Sequence, residues 1–300
     1  MRHRPRAPPA LVRPPSCYPP QLIPRAWWLT ARTPSSSAGQ FQDACSKRYD
    51  DTDLIVREIV DHGADSERGI LARERLNYIH SHYKISNDDY MYTLSMFVVE
   101  PYLWVQKYDW RPFSKVEREA TFYMWKEVGE GMGIKDIPDT FEAMCEWSWE
   151  YERKNMRHAA TNVKVVAPTV DMFLSPFPAF VRPFLMALFP AFMSDRLAEA
   201  TGFPKAKLWA KIVMRGSFAT RAFLVKYFFL PRWTRSVRTP DGPLYGPDGK
   251  RRVFMPKWHL YGCTYPNGYD IASLGPTKFA PGKTCPLFKT TDPGPRCTKD

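Results

Sequence analysis

The sequence predicts an all-α protein, and three observations carry that prediction. Apolar residues between 41 and 230 recur at helical spacing, capping residues stand ahead of those runs, and strand-like alternation is scarce before residue 240. Three hundred residues suffice for one large helical domain or two small ones.

The elements follow in order. Residues 1–38 hold nine prolines and six arginines without helical periodicity. Such a stretch cannot bury a core and is expected to be a disordered tail. Proline at that density opposes the amphipathic helix of a transit peptide, and the apolar patch Ala26, Trp27, Trp28, Leu29 is too short for a signal-peptide core. From Phe41 the chain becomes helical. Thr52 is expected to cap a helix to about Val60, stopped near Gly63. Ser66 caps the next, to about Tyr83, where Ala72, Leu76, Ile79 and Tyr83 form the stripe of a buried face. Ser86 with Asp89 opens a helix that Pro101 should kink or divide. Ser114 with Glu117 is a cleaner capping box, opening a helix to about Glu130 that Gly131 or Gly133 terminates. Asp139 or Thr140 starts a helix to about Met156, and Asn162 one to about Leu174 despite Pro168. Segments 180–200 and 205–229 also read as helical. From 233 onward the chain is rich in Gly and Pro, a mostly irregular extension. The division is therefore a tail at 1–38, a single multi-helix domain at 39–232 and an irregular C-terminal extension at 233–300.

The formal charge of +12 is unevenly spread. Residues 1–40 carry six Arg and no acid, and residues 231–300 carry twelve Lys/Arg against five acids. Residues 41–230 are nearly neutral, with twenty-five basic and twenty-six acidic side chains. A nucleic-acid reader concentrates basic charge on a folded face and carries a reader motif. Neither is present, so no nucleic-acid partner is expected. The six cysteines form no CxxC pair or zinc spacing and read as reduced thiols. Met172–Met193 has one charge, Arg182, in twenty-two residues, yet its four prolines argue for a buried or interfacial segment rather than a span. Residues 222–233 end in a basic-aromatic signature that suits a headgroup boundary as well as an aromatic core helix.

Chemistry-bearing residues concentrate on the helix capped by Ser66. Arg75 and His82 are two turns apart and project to nearly the same side, whereas His80 lies about 200° round the helix from His82. One unbroken helix cannot aim both histidines at one metal. A neutral imidazole at a buried edge can ligate haem iron, and an arginine can pair with a propionate or an oxygen-derived anion. On the residues alone, an interior His bonded to a carbonyl and an ion-paired Arg explain the pattern more simply. His158 reads as solvated, His259 as a packing residue, Asp88 and Asp89 as helix-start residues, and Asp195–Arg196 as a structural ion pair. No P-loop, GxGxxG, GxSxG or HExxH is present.

Taken together, TDLIVREI, RLNYIHSHY, ISNDDYMYTLSMF, EPYLW, the MGI turn, VDMFLSPFPAFVRPF, SDRLAEATGFP and GYDIASLGP carry a resemblance. In order and spacing, over about residues 39–280, they resemble the catalytic domain shared by fungal MpaB-type ER-bound oxygenases and bacterial rubber oxygenases (latex clearing proteins). The resemblance implies a haem-oxygenase-like domain holding haem b through a proximal His, with distal polar residues, and oxidative C=C cleavage of an isoprenoid-like substrate with O2. It also implies residence at the endoplasmic reticulum membrane on its cytosolic face, peripheral or anchored by a segment missing from this gene model. One departure stands out: many bacterial relatives have a W-V-H-like pattern where this chain reads Thr93-Leu94-Ser95, and serine does not replace imidazole as a strong iron ligand. Either His80 or His82 serves, or the haem is held differently, or it is absent. The expectation is His80 as the metal ligand, with Arg75 as a catalytic and cofactor-binding residue and His82 as a second cofactor-binding candidate. Met91, Phe97, Trp104 and Trp125 are expected to line an apolar substrate pocket. The alternative is a haem-free, catalytically degenerate helical scaffold of the same fold associated with membranes.

Overall fold

In the computed structural model, which describes residues 45–230, 233, 237–259, 261 and 264–279, helices begin where side chains satisfy their first free N–H groups. Helix α1, Cys45–His62, is followed by α2, Glu67–Ser81, capped by Ser66, whose Oγ accepts from the Gly69 N–H. Helix α3, Asn87–Tyr108, starts at Ser86 in the same way. Helix α4, Lys115–Gly131, has the full reciprocal box between Ser114 and Glu117. Thr140 caps α5, Phe141–Asn155. Then come α6, Ala160–Leu174, α7, Arg182–Leu188, a 3-10 turn at Phe189–Phe192, α8, Asp195–Thr201, and α9, Leu208–Phe228. Among the described residues there is no strand, only two isolated bridges, Tyr245 with Arg251 and Phe254 with Tyr269. The all-α expectation holds.

Four local expectations are refined. Helix α1 starts at Cys45, so Thr52 is an exposed interior residue rather than a cap. The upstream turns are held by tertiary partners, including a Cys45 Sγ–Thr169 Oγ1 contact of 3.6 Å. Pro101 does not divide α3, which runs on to Tyr108. Gly133, at φ +78°, makes the reversal after α4, while Met132 holds the cap position. Asn162 lies inside α6, buried, and its Nδ2 donates to the carbonyls of Arg157 and Ala200, tying α6 to α8.

Helix α3 is the hub, packing on α4, α5 and α9, while α1 lies against α2 and α6. The main core joins Leu54, Ile59, Ala72, Met91, Phe122 and Met144 from α1–α5. It also takes in Leu244, Phe254, Tyr269, Ile271, Ala272 and Leu274 from beyond residue 237. The C-terminal part is thus irregular as expected, but where described it is part of the main core rather than an appendage. The tail at 1–38, and Cys17, Cys263, Cys285 and Cys297, lie outside the described residues. Met172–Met193 is broken into the end of α6, a turn, α7 and a 3-10 turn. Among the described residues no helix is long and apolar enough to cross a membrane.

Candidate functional site

Helix α2 carries the three residues singled out above and sends them to different places. Arg75 is wholly buried. Its Nε donates to the Leu274 carbonyl at 2.6 Å and its Nη2 to the Phe279 carbonyl at 2.7 Å, with the Tyr78 ring 5.4 Å from the guanidinium. These bonds fasten the C-terminal segment to α2. The structure therefore aims Arg75 at backbone carbonyls, where an anion-binding role was expected. His82 lies just past the helix end and is exposed, its Nδ1 2.8 Å from the Tyr78 carbonyl and its ring 4.3 Å from that of Phe279. Arg75 and His82 thus meet the same residue, as two-turn spacing requires.

His80 points elsewhere, with its ring 5.5 Å from that of Tyr90 on α3. Its Nδ1 is buried and, among the described residues, meets no hydrogen-bond partner. Burial, helped by the nearby Arg48 charge, pushes its imidazole down to about 4, so it is neutral at physiological pH. A neutral imidazole with an open buried nitrogen is the donor a haem iron needs, and haem requires only one or two protein ligands. By that criterion His80 fits the group; Arg75 lies about 140° round α2 and is turned toward Phe279.

The other candidates are structural. Ser95 is fully buried, with its Oγ donating to the Tyr92 carbonyl at 2.7 Å and lying 3.0 Å from Ser148 Oγ on α5, a helix–helix tie. Met91, Phe97 and Trp125 pack in the main core, Phe97 stacked on Trp125 at 4.6 Å. Trp104 belongs to a separate cluster with Tyr108 and Phe218. These four side chains are therefore core packing and not the walls of one pocket. Burial pushes the Cys145 thiol up to about 11, so it is protonated at physiological pH. Asp195 pairs with Lys211 at 3.4 Å rather than with Arg196. Arg196, with Arg157, His158 and Glu199, lines a small cavity of about 190 Å³, and His158 Nδ1 lies 3.1 Å from the Glu199 carbonyl. His62 Nε2 sits 3.1 Å from Thr239 Oγ1.

Sequence reasoning missed a buried polar network between α1, α2 and the C-terminal segment. Arg238 Nη2 donates to Asp50 at 2.7 Å and its Nη1 to Asp53, with all three side chains buried. Asp50 also accepts from Thr264, and Asp51 from Lys47 and Tyr265. Glu58 accepts two 2.7 Å bonds from Arg68 and one from the Tyr269 hydroxyl. Arg68 also donates to the Pro240 carbonyl at 2.7 Å. The available signal was the acid density of KRYDDTDLIVRE, more than a solvated helix face requires. The network ties α1 and the first turn of α2 to the C-terminal segment.

Residues 23–224 match the family described as ER-bound oxygenase mpaB/B′/rubber oxygenase, catalytic domain. The chain is similar to the ER-bound oxygenase mpaB′ of Penicillium brevicompactum, 28% identical over 215 residues, which cover 66% of this chain and 51% of the relative. It is also similar to the ER-bound oxygenase mpaB of Penicillium roqueforti, 32% identical over 180 residues, covering 54% of this chain and 60% of that protein. The chain spans about half the length of the relatives it matches. With two thirds of its length inside the match, the chain belongs to the family of MpaB-type ER-bound oxygenases and rubber oxygenases.

Proposed function

We propose that this protein is a haem-dependent oxygenase that cleaves C=C bonds of an apolar, isoprenoid-like substrate at the cytosolic face of the endoplasmic reticulum membrane. Two relatives are named ER-bound oxygenases, which supports both the reaction class and the place. The observation that carries the haem reading is His80, a neutral imidazole whose buried Nδ1 has no hydrogen-bond partner among the described residues. Buried polar atoms are nearly always satisfied, so an open imidazole nitrogen calls for a ligand. Bound haem b would supply O2 binding and activation. The chain's own contribution is to present His80 from a capped helix, keep its ring uncharged by burial and set it against the Tyr90 ring. Arg75 acts as a positioning residue, because it fastens residues 274–279 beside α2.

The test is spectroscopic. Protein produced with ample haem should show a Soret band that His80→Ala abolishes or shifts in ligation type and His82→Ala preserves. A second reading, a haem-free scaffold of the same fold, draws support from Ser95, whose hydroxyl is fully used in packing α3 on α5. Absence of any Soret band in the wild-type protein would favour the scaffold. A band that survives both substitutions would refute the ligand assignment alone.

A further inference from the structure

Helix α9 is 21 residues long, yet Ala210 and Met214 are its only buried residues. At 100° per residue these two fall on the side facing the domain, with half-buried Phe218 and Val225 beside them. Leu208, Trp209, Ile212, Phe223, Leu224 and Tyr227 fall together within about 160° on the opposite side, and all six are 40% or more exposed. A surface helix normally turns its apolar stripe inward; α9 turns a second one outward. The stripe continues onto α7, since the Phe184 ring stacks on Trp209 at 6.0 Å, and Phe177 and Phe180 are exposed in the turn that leads into α7. Single exposed apolar side chains need no explanation, but a contiguous patch across two elements marks a contact surface.

Charge identifies the contact. Leu208–Phe228 contains Lys211, Arg215, Arg221 and Lys226 and no acid. Arg221 turns inward to Asp109 at 3.4 Å, while Lys211, Arg215 and Lys226 line one flank of the stripe. Residues 172–194 are likewise free of acids and carry Arg182. An apolar stripe bordered by cations suits the headgroup boundary of a bilayer containing anionic lipid. A second copy of the chain would bring like charges together around a two-fold axis, which opposes self-association through this face. At about 32 Å, α9 is long enough to span a bilayer, but its four cations forbid that and favour lying in the plane.

We propose that the outward face of α9, continued by α7 and the turn at 177–181, is a membrane-docking surface that seats the domain on anionic lipid. This deepens the proposed ER location by naming the surface, and it rests on neither haem nor turnover. The experiment is flotation of the purified full chain with phosphatidylcholine vesicles, with and without phosphatidylserine. The wild-type chain should float with the mixed vesicles, more weakly with phosphatidylcholine alone, and be released by high salt only in part. Ile212→Asp with Phe223→Asp, both at exposed positions, should lower the partition coefficient at least about tenfold while circular dichroism and Tm stay unchanged. Lys211→Glu with Lys226→Glu should remove the phosphatidylserine dependence and leave the weaker neutral-lipid binding. Wild-type protein that stays with the aqueous fraction on both vesicles would overturn the proposal, as would aspartate variants that float normally. A lowered Tm in the aspartate variant would mean that the chain itself covers the face, and a dimer that the variant dissolves would mean a second copy covers it; either result overturns the proposal. Flotation without a Soret band would leave this surface standing and remove the haem reading.

Discussion

Replacing Arg238 by Leu removes the cation that, among the described residues, joins Asp50 to Asp53 from across the chain. In the wild type its Nη2 is 2.7 Å from Asp50, its Nη1 bonds Asp53, and its Nε donates to the Trp258 carbonyl at 3.1 Å. Arg238 and Asp50 have no side-chain exposure and Asp53 has 6%, so water cannot take over the lost bonds. Breaking a buried ion pair from one side costs about 3–5 kcal/mol, because the remaining charge stays uncompensated. Arg57 still bonds Asp53 at 3.0 Å, and Thr264 still donates to Asp50, which places the expected loss at the lower end, about 3 kcal/mol. For a domain of this size that lowers Tm by roughly 6–12 °C. The assay is a thermal melt by circular dichroism with a urea titration at neutral pH. Asp50→Asn in the Arg238→Leu background should restore part of the loss, since the amide is neutral and still accepts from Thr264. A Tm change below about 2 °C, or an Asp50→Asn effect that merely adds to the first, would refute the reasoning that this network is buried and coupled.

Gly69→Ala should destabilise by about 2 kcal/mol or more in urea titrations, although alanine is the better helix former by roughly 1 kcal/mol, because its Cβ would meet the Gly63 carbonyl oxygen at 2.0 Å and that oxygen is backbone. Arg75→Ala should cost about 3 kcal/mol and speed amide exchange in residues 271–279, whose carbonyls at Leu274 and Phe279 lose their donor; unchanged exchange there would show that the segment is held otherwise. The Arg111 guanidinium beside Glu117, with the Ser114 cap, holds the Glu117 carboxyl at about 2, below its ordinary value of 4.5. A depressed carboxylate stabilises the fold above its unfolded value and loses that contribution as pH falls toward the folded one. The stability advantage of wild type over Glu117→Gln should therefore be full above about pH 5 and shrink between pH 4.5 and about 2; an advantage that does not change with pH would exclude the charge as its source.

Much of the architecture was legible because helix starts and stops are local. Ser66, Ser86, Ser114 and Thr140 each cap a helix with an oxygen three residues from its N–H partner, and no distant residue is needed. The opposite directions of His80 and His82 followed from helical spacing in the same way. The tertiary structure decided what depends on residues far apart in sequence. Helix α1 begins before Thr52 because Asp50 and Asp53 find Arg238, about 185 positions later. Arg75 became a fastener because residues 274–279 return to cover it, and Met91, Phe97 and Trp125 became core because α3 and α4 close on each other. His80 is set apart by the depth of burial that keeps its ring neutral, which composition and periodicity do not encode. A cap bond is made within one turn of chain, whereas the solvation of a charge, and hence its role, is set by whatever long-range segment excludes water from it.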